Sequence, residues 1–198
     1  MSFLFKNRIV IKTAAFILTA ASFIQIFFAF PFLSEENDID ISQIKSSSAL
    51  ITNLDTGTVL FSRNEEEQVF CGFLPQVIGC VLLLELSTDL NTEVTISKEV
   101  ISQTPQISSA NLKAGDVISL SDLITAVMMC GSQESCLAIA EYVSQDTDKF
   151  LELINNKVSE LGCTGTKINN VHGYFKPYAV ITTVNDIAKV LKLSLIHI

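Results

Sequence analysis

Residues Leu112–Val143 read LKAGDVISLSDLITAVMMCGSQESCLAIAEYV. Ser119 or Ser121 stands where a helix takes its N-terminal cap, with a hydroxyl able to accept from backbone N–H groups that lack an intrahelical partner. The apolar run that follows predicts a helix through Met129. Gln133–Val143 predicts a second helix, which leaves Cys130-Gly131-Ser132 as the connection between them. Downstream, Thr147–Leu161 predicts a third helix, with Gly162 as its C-terminal stop. Thr183 and Asp186 form a capping-box-like pair that opens a last helix to about Leu193.

Upstream, Pro75–Leu86 is almost uniformly apolar, and a helix that is apolar on every face is buried on every face. It belongs at the centre of the domain. Ala49–Asn64, ALITNLDTGTVLFSRN, predicts a hairpin in which two apolar runs flank the turn Asp55-Thr56-Gly57. Asn91–Gly115 is a polar excursion with short β-like pieces such as Glu93–Ser97. No internal repeat or low-complexity tract is present. The pattern predicts an α+β domain, helical in its middle, with one hairpin at its start.

The 198 residues are enough for one domain with its own core. The mean hydropathy of +0.43 is high, and the excess is concentrated at the N-terminus. Met1–Lys12 carries Lys6, Arg8 and Lys12 and no acid, and Thr13–Leu33 is nearly all apolar, with Gln25 its only strongly polar side chain. A basic start before roughly 20 apolar residues suits a helix that crosses a bilayer with its positive end inside. It also suits a signal peptide, but Phe27-Phe28-Ala29 places a ring where a cleavage site wants a small residue, which favours an uncleaved anchor. Residues 1–33 are thus expected to be a signal anchor or signal peptide. Residues 34–48, acidic and ending in three serines, are expected to be a linker. The domain then occupies 49–198, extracytoplasmic and tethered to the cytoplasmic membrane, or secreted if the leader is cleaved.

The formal net charge is −8, and removing the three basic residues of the first twelve leaves −11 on the rest. Such a surface argues against nucleic acid and anionic membrane surfaces as partners. Five cysteines (Cys71, Cys80, Cys130, Cys136, Cys163) cannot all pair within one chain, and none is spaced C-x-x-C. Most lie in apolar stretches, where cysteine serves as a small buried residue, with room for one disulfide in an exported protein. The acidic run Glu65-Glu66-Glu67 has no metal-ligand neighbours and reads as a solvated face. Neither metal nor cofactor is expected.

Taken in order, the segments resemble the low-molecular-weight penicillin-binding D-alanyl-D-alanine carboxypeptidases, serine peptidases of the β-lactamase/transpeptidase-like fold. The opening ALITNLDTGTVLFSRNEEE is similar to the family's first hairpin, D-x-x-T-G-x-V-L followed by Asn. Leu112–Val143 is similar to G-D-x-[VI]-[ST]-[VL]-x-D-L-L followed by S-G-N-D-A-A and A-L-A-E. FLELINNKVSELGCTGTKINNVHGY resembles the family's N-x-K-A-x-x-L-G run and its N-P-H-G-L turn, and TTVNDIA matches T-T-A-x-D-[ML]-A. The resemblance runs unbroken from Ala49 to the end and implies an antiparallel sheet with a helical subdomain.

It also implies where acyl transfer would occur. The family uses three motifs, S-x-x-K, S-x-N and K-T-G. The first opens the buried helix, and its serine attacks while a lysine one turn later removes the proton. Here Cys71-Gly72-Phe73-Leu74-Pro75-Gln76 puts Phe73 at the nucleophile and Gln76 at the base. A phenyl ring has no nucleophilic atom, and a neutral amide is no base near pH 7. No Ser and Lys lie three apart between Ser62 and Ser87, so no shift of register restores the motif. The second motif reads Cys130-Gly131-Ser132, with Cys130 for the relay serine, Ser132 for the asparagine, and Gln133-Glu134-Ser135 after it. No Lys-Thr-Gly occurs. In the family it lies beyond the helix opening near Thr183, so the domain is expected to be partial, with a doubtful tail at Leu195–Ile198. His172 is expected to serve a structural hydrogen bond.

Three readings follow. The favoured one is a catalytically impaired homologue that binds peptidoglycan stem peptide or a cell-envelope protein without cleaving it. The second is an active carboxypeptidase with a non-standard nucleophile, Cys130 being the candidate. The third is a non-functional gene remnant.

Overall fold

The central helix is α1, Leu74–Leu86. Its first turn has no acid and its last turn no base, so its termini do little to hold it. Burial holds it instead: Leu74, Ile78, Cys80, Val81 and Leu83 are fully buried, and Val77 and Leu82 nearly so. A 13-residue helix is marginal alone and is stabilised chiefly by packing. The computed structural model describes residues 43–104, 108–174 and 180–197, and the expected anchor at 1–33 lies outside them. Among the described residues no helix is long and apolar enough to cross a membrane. Ser46–Ile198 forms one unit, and the following concerns that unit.

The chain begins with strands β1 (Ala49–Thr52) and β2 (Val59–Arg63), paired antiparallel with Leu50 opposite Ser62 and Ile51 opposite Phe61. The turn is governed by Asn53, whose Oδ1 accepts from the N–H groups of Asp55 (3.0 Å) and Thr56 (2.9 Å). Gly57, at φ +71°, completes it by donating to the Asn53 carbonyl. The last residues of the expected linker are fixed to this hairpin, because the Ser46 and Ser47 carbonyls accept from Arg63 and Asn64. Nor is the acidic run wholly free: Glu66 accepts from Asn185 and Glu67 from Ser48.

β3 (Val69–Phe70) leads into α1, and β4 (Glu93–Thr95) follows it. Next comes a short helix that the sequence pattern does not predict, α2 (Lys98–Gln103), capped by the Ser97 hydroxyl. β5 (Val117–Ser119) pairs with β4 and hands on to α3 (Leu120–Cys130). Ser119 caps α3, accepting from the Asp122 N–H and donating to its carboxylate. Gly131, at φ +63°, ends α3, and α4 (Gln133–Ser144) begins at once. α5 (Thr147–Glu160) opens on Asp146, which accepts from Asp148 and Lys149, and stops at Gly162 as expected.

β6 (Lys167–Ile168) and β7 (Val180–Thr182) form with β3 a three-stranded antiparallel sheet in the order β3-β7-β6. α6 (Val184–His197) closes the described chain and is longer than predicted. Thr183 caps it, accepting from the Asp186 N–H at 3.1 Å. The buried Asp186 carboxylate also collects the Gly165 N–H, the Thr166 hydroxyl and the Lys189 ammonium. Lys189 is held above its ordinary pKa chiefly by that contact. The architecture is α+β, with three small antiparallel sheets among the described residues around a helical middle.

α1 packs against α3, α4, α5 and α6. The approach to α5 is close at Gly79, where a Cβ would lie 3.4 Å from the ring of fully buried Phe150. Lys157 on α5 bridges to Glu85 on α1 at 2.8 Å. Phe150→Ala should therefore cost about 3–5 kcal/mol, as large cavities in cores do. Met129→Ala, at a residue 81% exposed, should change stability by less than about 0.5 kcal/mol. Urea denaturation of the two variants against the parent checks both.

Candidate functional site

The N-terminus of α1 is the place to look for chemistry, because helix entry there leaves N–H groups without intrahelical partners. Phe73 occupies the capping position at φ −79° and ψ −13°, and its side chain makes no capping hydrogen bond. Its ring is 45% exposed. Its side chain thus offers the helix end neither a nucleophilic atom nor a cap. Gln76 lies one turn on, on the same face. Its Nε2 donates to the His172 carbonyl at 2.9 Å, and its amide lies against Gly131.

The structure therefore brings the first-motif position Gln76 beside the second-motif connection Cys130–Ser132. Within that connection the side chains diverge. Cys130 is exposed, and its thiol donates to the Ala126 carbonyl one turn back at 3.1 Å. Ser132 is fully buried. It caps α4, accepting from the Ser135 N–H, and shares a 2.7 Å hydrogen bond with the Ser135 hydroxyl. It faces the interior and presents nothing to a ligand.

Behind the connection sits a carboxylate that the sequence pattern gives no reason to bury. Glu134 is 1% exposed, and its Oε1 accepts from the Ser109 hydroxyl (2.6 Å) and the Leu112 N–H (3.3 Å). Burial pushes its pKa up. Hydrogen bonds from Ser109, its own backbone, Leu112 and Ser132 outweigh that and hold it below the usual value. The segment 108–112 is fixed to the site by these bonds, by the Gln133 N–H to the Ser108 carbonyl, and by the Ser108 hydroxyl to the Cys130 carbonyl. The one sequence signal for this network was Gln133-Glu134-Ser135 standing where the resemblance implies D-A-A.

The third wall is the turn Asn170–Tyr174. Asn170 Oδ1 accepts from the Gly173 N–H at 2.6 Å, and His172 Nδ1 accepts from the Tyr174 N–H at 3.1 Å. Gly173 is at φ +67°, and a Cβ there would collide with the Gly72 carbonyl oxygen. Only glycine permits that approach. Burial lowers the His172 pKa from its ordinary 6.5, since the imidazolium would lose both solvent and its role as acceptor.

Two predictions follow from these environments. The folded state binds the His172 proton less well than the unfolded chain. Its contribution to stability is therefore complete above about pH 6.5 and is lost as pH falls through the lowered pKa. The loss in urea midpoint between pH 7.5 and 5.5 should be larger for the parent than for His172→Gln. All five thiols are free, with burial pushing Cys71 and Cys163 up to about 11 and Cys80 to about 12, and raising Cys136 as well. A thiol reagent at neutral pH should label one cysteine rapidly, Cys130, and the other four only on unfolding.

Comparison with known proteins places this geometry. The family model described as D-alanyl-D-alanine carboxypeptidase matches residues 34–197. A D-alanyl-D-alanine carboxypeptidase, DacC, of Escherichia coli K12 is 27% identical over 91% of this chain and 46% of its own length. The chain spans about half or less of the curated relatives it matches. Among solved structures, penicillin-binding protein 5 from Haemophilus influenzae aligns with a TM-score of 0.69 at 21% identity, over 76% of this chain and 45% of that one. A DD-transpeptidase from Streptomyces K15 aligns with a TM-score of 0.69 at 20% identity, over 76% and 61%. The fold is that of the transpeptidase-like penicillin-binding proteins. With most of its length matched by the family model, the chain belongs to the D-alanyl-D-alanine carboxypeptidase family.

Proposed function

We propose that the protein is a catalytically impaired member of its family, exported and tethered to the cytoplasmic membrane, that binds peptidoglycan stem peptide or a cell-envelope partner without cleaving it. One observation carries the reading. At the two positions where acyl transfer needs a nucleophile and its base, the chain has an exposed phenyl ring and an amide whose N–H is held by the His172 carbonyl. Coupled catalytic groups act as a unit, so loss of either removes most of the rate. The second-motif position supports the same conclusion, because Ser132 is turned into the core and cannot hold a substrate.

Export rests on the basic and apolar N-terminus, and the stem peptide on what the relatives are named for cleaving. The acidic charge of the remainder suits a partner other than nucleic acid.

The test is incubation with a fluorescent penicillin followed by denaturing electrophoresis. No covalent adduct should form, while the same protein should sediment with purified peptidoglycan or capture an envelope protein after crosslinking. A denaturation-resistant adduct would overturn the reading. An adduct that disappears in Cys130→Ala would assign the nucleophile to Cys130.

A further inference from the structure

The catalytic base is not simply missing. Its position has acquired other contacts, and they converge from three parts of the chain. Gln76 reaches from α1 to the His172 carbonyl, 96 residues away. The same amide lies against Gly131, where a Cβ would sit 3.5 Å from Oε1 and 3.7 Å from Nε2. Directly before α1, a Cβ on Gly72 would come within 2.9 Å of the Gly173 carbonyl oxygen, and one on Gly173 would overlap the Gly72 carbonyl. Pro75, in the first turn of α1, closes on the same spot, with Cγ 3.1 Å from the Gly173 Cβ position. Each of the three segments thus offers a glycine where it meets another, and one polar side chain joins all three.

We infer that Gln76 is a positioning residue, a clamp that holds the entry of α1 to the Asn170–Tyr174 turn and seats the Cys130–Ser132 connection beside it. The backbone contact between Gly72 and Gly173 brings the turn close but has no directional bond of its own among these contacts. The Gln76 N–H supplies the directional bond. Without it the His172 carbonyl loses this donor, and the turn is left to its internal hydrogen bonds from Gly173, Tyr174 and the Asn170 side chain. The clamp needs a donor at the tip of a side chain of about this length, and it needs no charge. Position 76 can therefore lose catalysis and keep architecture. The clamp is independent of what the domain binds, so the fate of the penicillin test does not bear on it.

The experiment is hydrogen–deuterium exchange of the full chain, comparing the parent with Gln76→Glu, Gln76→Met and Gln76→Lys. Glutamate keeps the shape and removes the N–H donor. Methionine keeps the length without a donor, and lysine restores one. Exchange at the Gly173 and Tyr174 amides should speed up about tenfold in the glutamate and methionine variants and return towards the parent rate in the lysine variant. The buried α5 amides around Ile154 should be unchanged in all three. Equal turn exchange in all four proteins would overturn the clamp, as would a lysine variant no slower than the methionine one. If glutamate unfolds the domain, shown by loss of α5 protection, methionine against lysine decides alone.

Discussion

The structure depends on removing α1 from water on every side. Its seven buried aliphatic and thiol side chains stand at the meeting point of α3, α4, α5 and α6, and each of those helices buries its own apolar stripe by packing on α1. At about 25 cal/mol per Å² of apolar surface, burial of this kind outweighs any local propensity in the segment. It also restricts the helix chemically. A charge in its body would lack solvent, so polar side chains appear only near the ends, Gln76 at the first turn and Glu85 at the last. Both are engaged at once by distant segments, Gln76 by the His172 turn and Glu85 by Lys157 of α5. The ends of α1 are thus where the core is tied to the rest of the chain.

The polar interior follows a similar logic around α4 and α6. Glu134 and Asp186 are both buried carboxylates, and each serves as a hub for donors from a neighbouring loop. Glu134 fastens 108–112 through Ser109 and Leu112. Asp186 fastens 165–166 and holds Lys189 against the Gly162 carbonyl. Glu134 is incompletely satisfied: its Oε2, like Gln133 Oε1, has no partner among the described residues. A buried acceptor in that condition costs about 1–3 kcal/mol. Hydrogen bonds, led by that from Ser109, nevertheless hold its pKa below the usual value. Removing those hydroxyls would leave a buried charge with little support, so the network stands or falls as a whole.

What the sequence made legible was whatever is local or periodic. α1 showed through a run apolar on every face, α3 through a cap at Ser119 or Ser121 before an apolar run, α6 through Thr183 three residues before Asp186, and the hairpin through its turn around Gly57. α2 was not legible, since six residues with only Val100 buried leave no periodic mark. The sheet β3-β7-β6 was not either, because strands of two or three residues are too short for alternation to declare itself. At the site the identities of Phe73 and Gln76 could be read directly, but not the contacts that Gln76 makes. The partner of Gln76 is a backbone carbonyl brought near by tertiary packing, and the partner of Glu134 is a loop hydroxyl 25 residues away. Neither leaves any trace in local pattern.

Phe73 and Gln76 place different demands on the fold. Phe73 stands at the surface end of α1, 45% exposed, and forfeits a capping bond, about 1 kcal/mol. The base position is the more demanding, because a lysine there must keep its charge at the edge of a dry helix. An amide has no such cost, and its N–H satisfies a carbonyl that needs a donor. Gln76 therefore lies on the side of stability, while Phe73 gives up a capping bond. Catalytic side chains are held against the preferences of the fold, and the fold survives their loss when the substitutes meet its own needs. The tightest constraints lie at the glycines: Gly72 and Gly173 have no room for a Cβ at their backbone contact, and Gly131 between two helices sits at φ +63°.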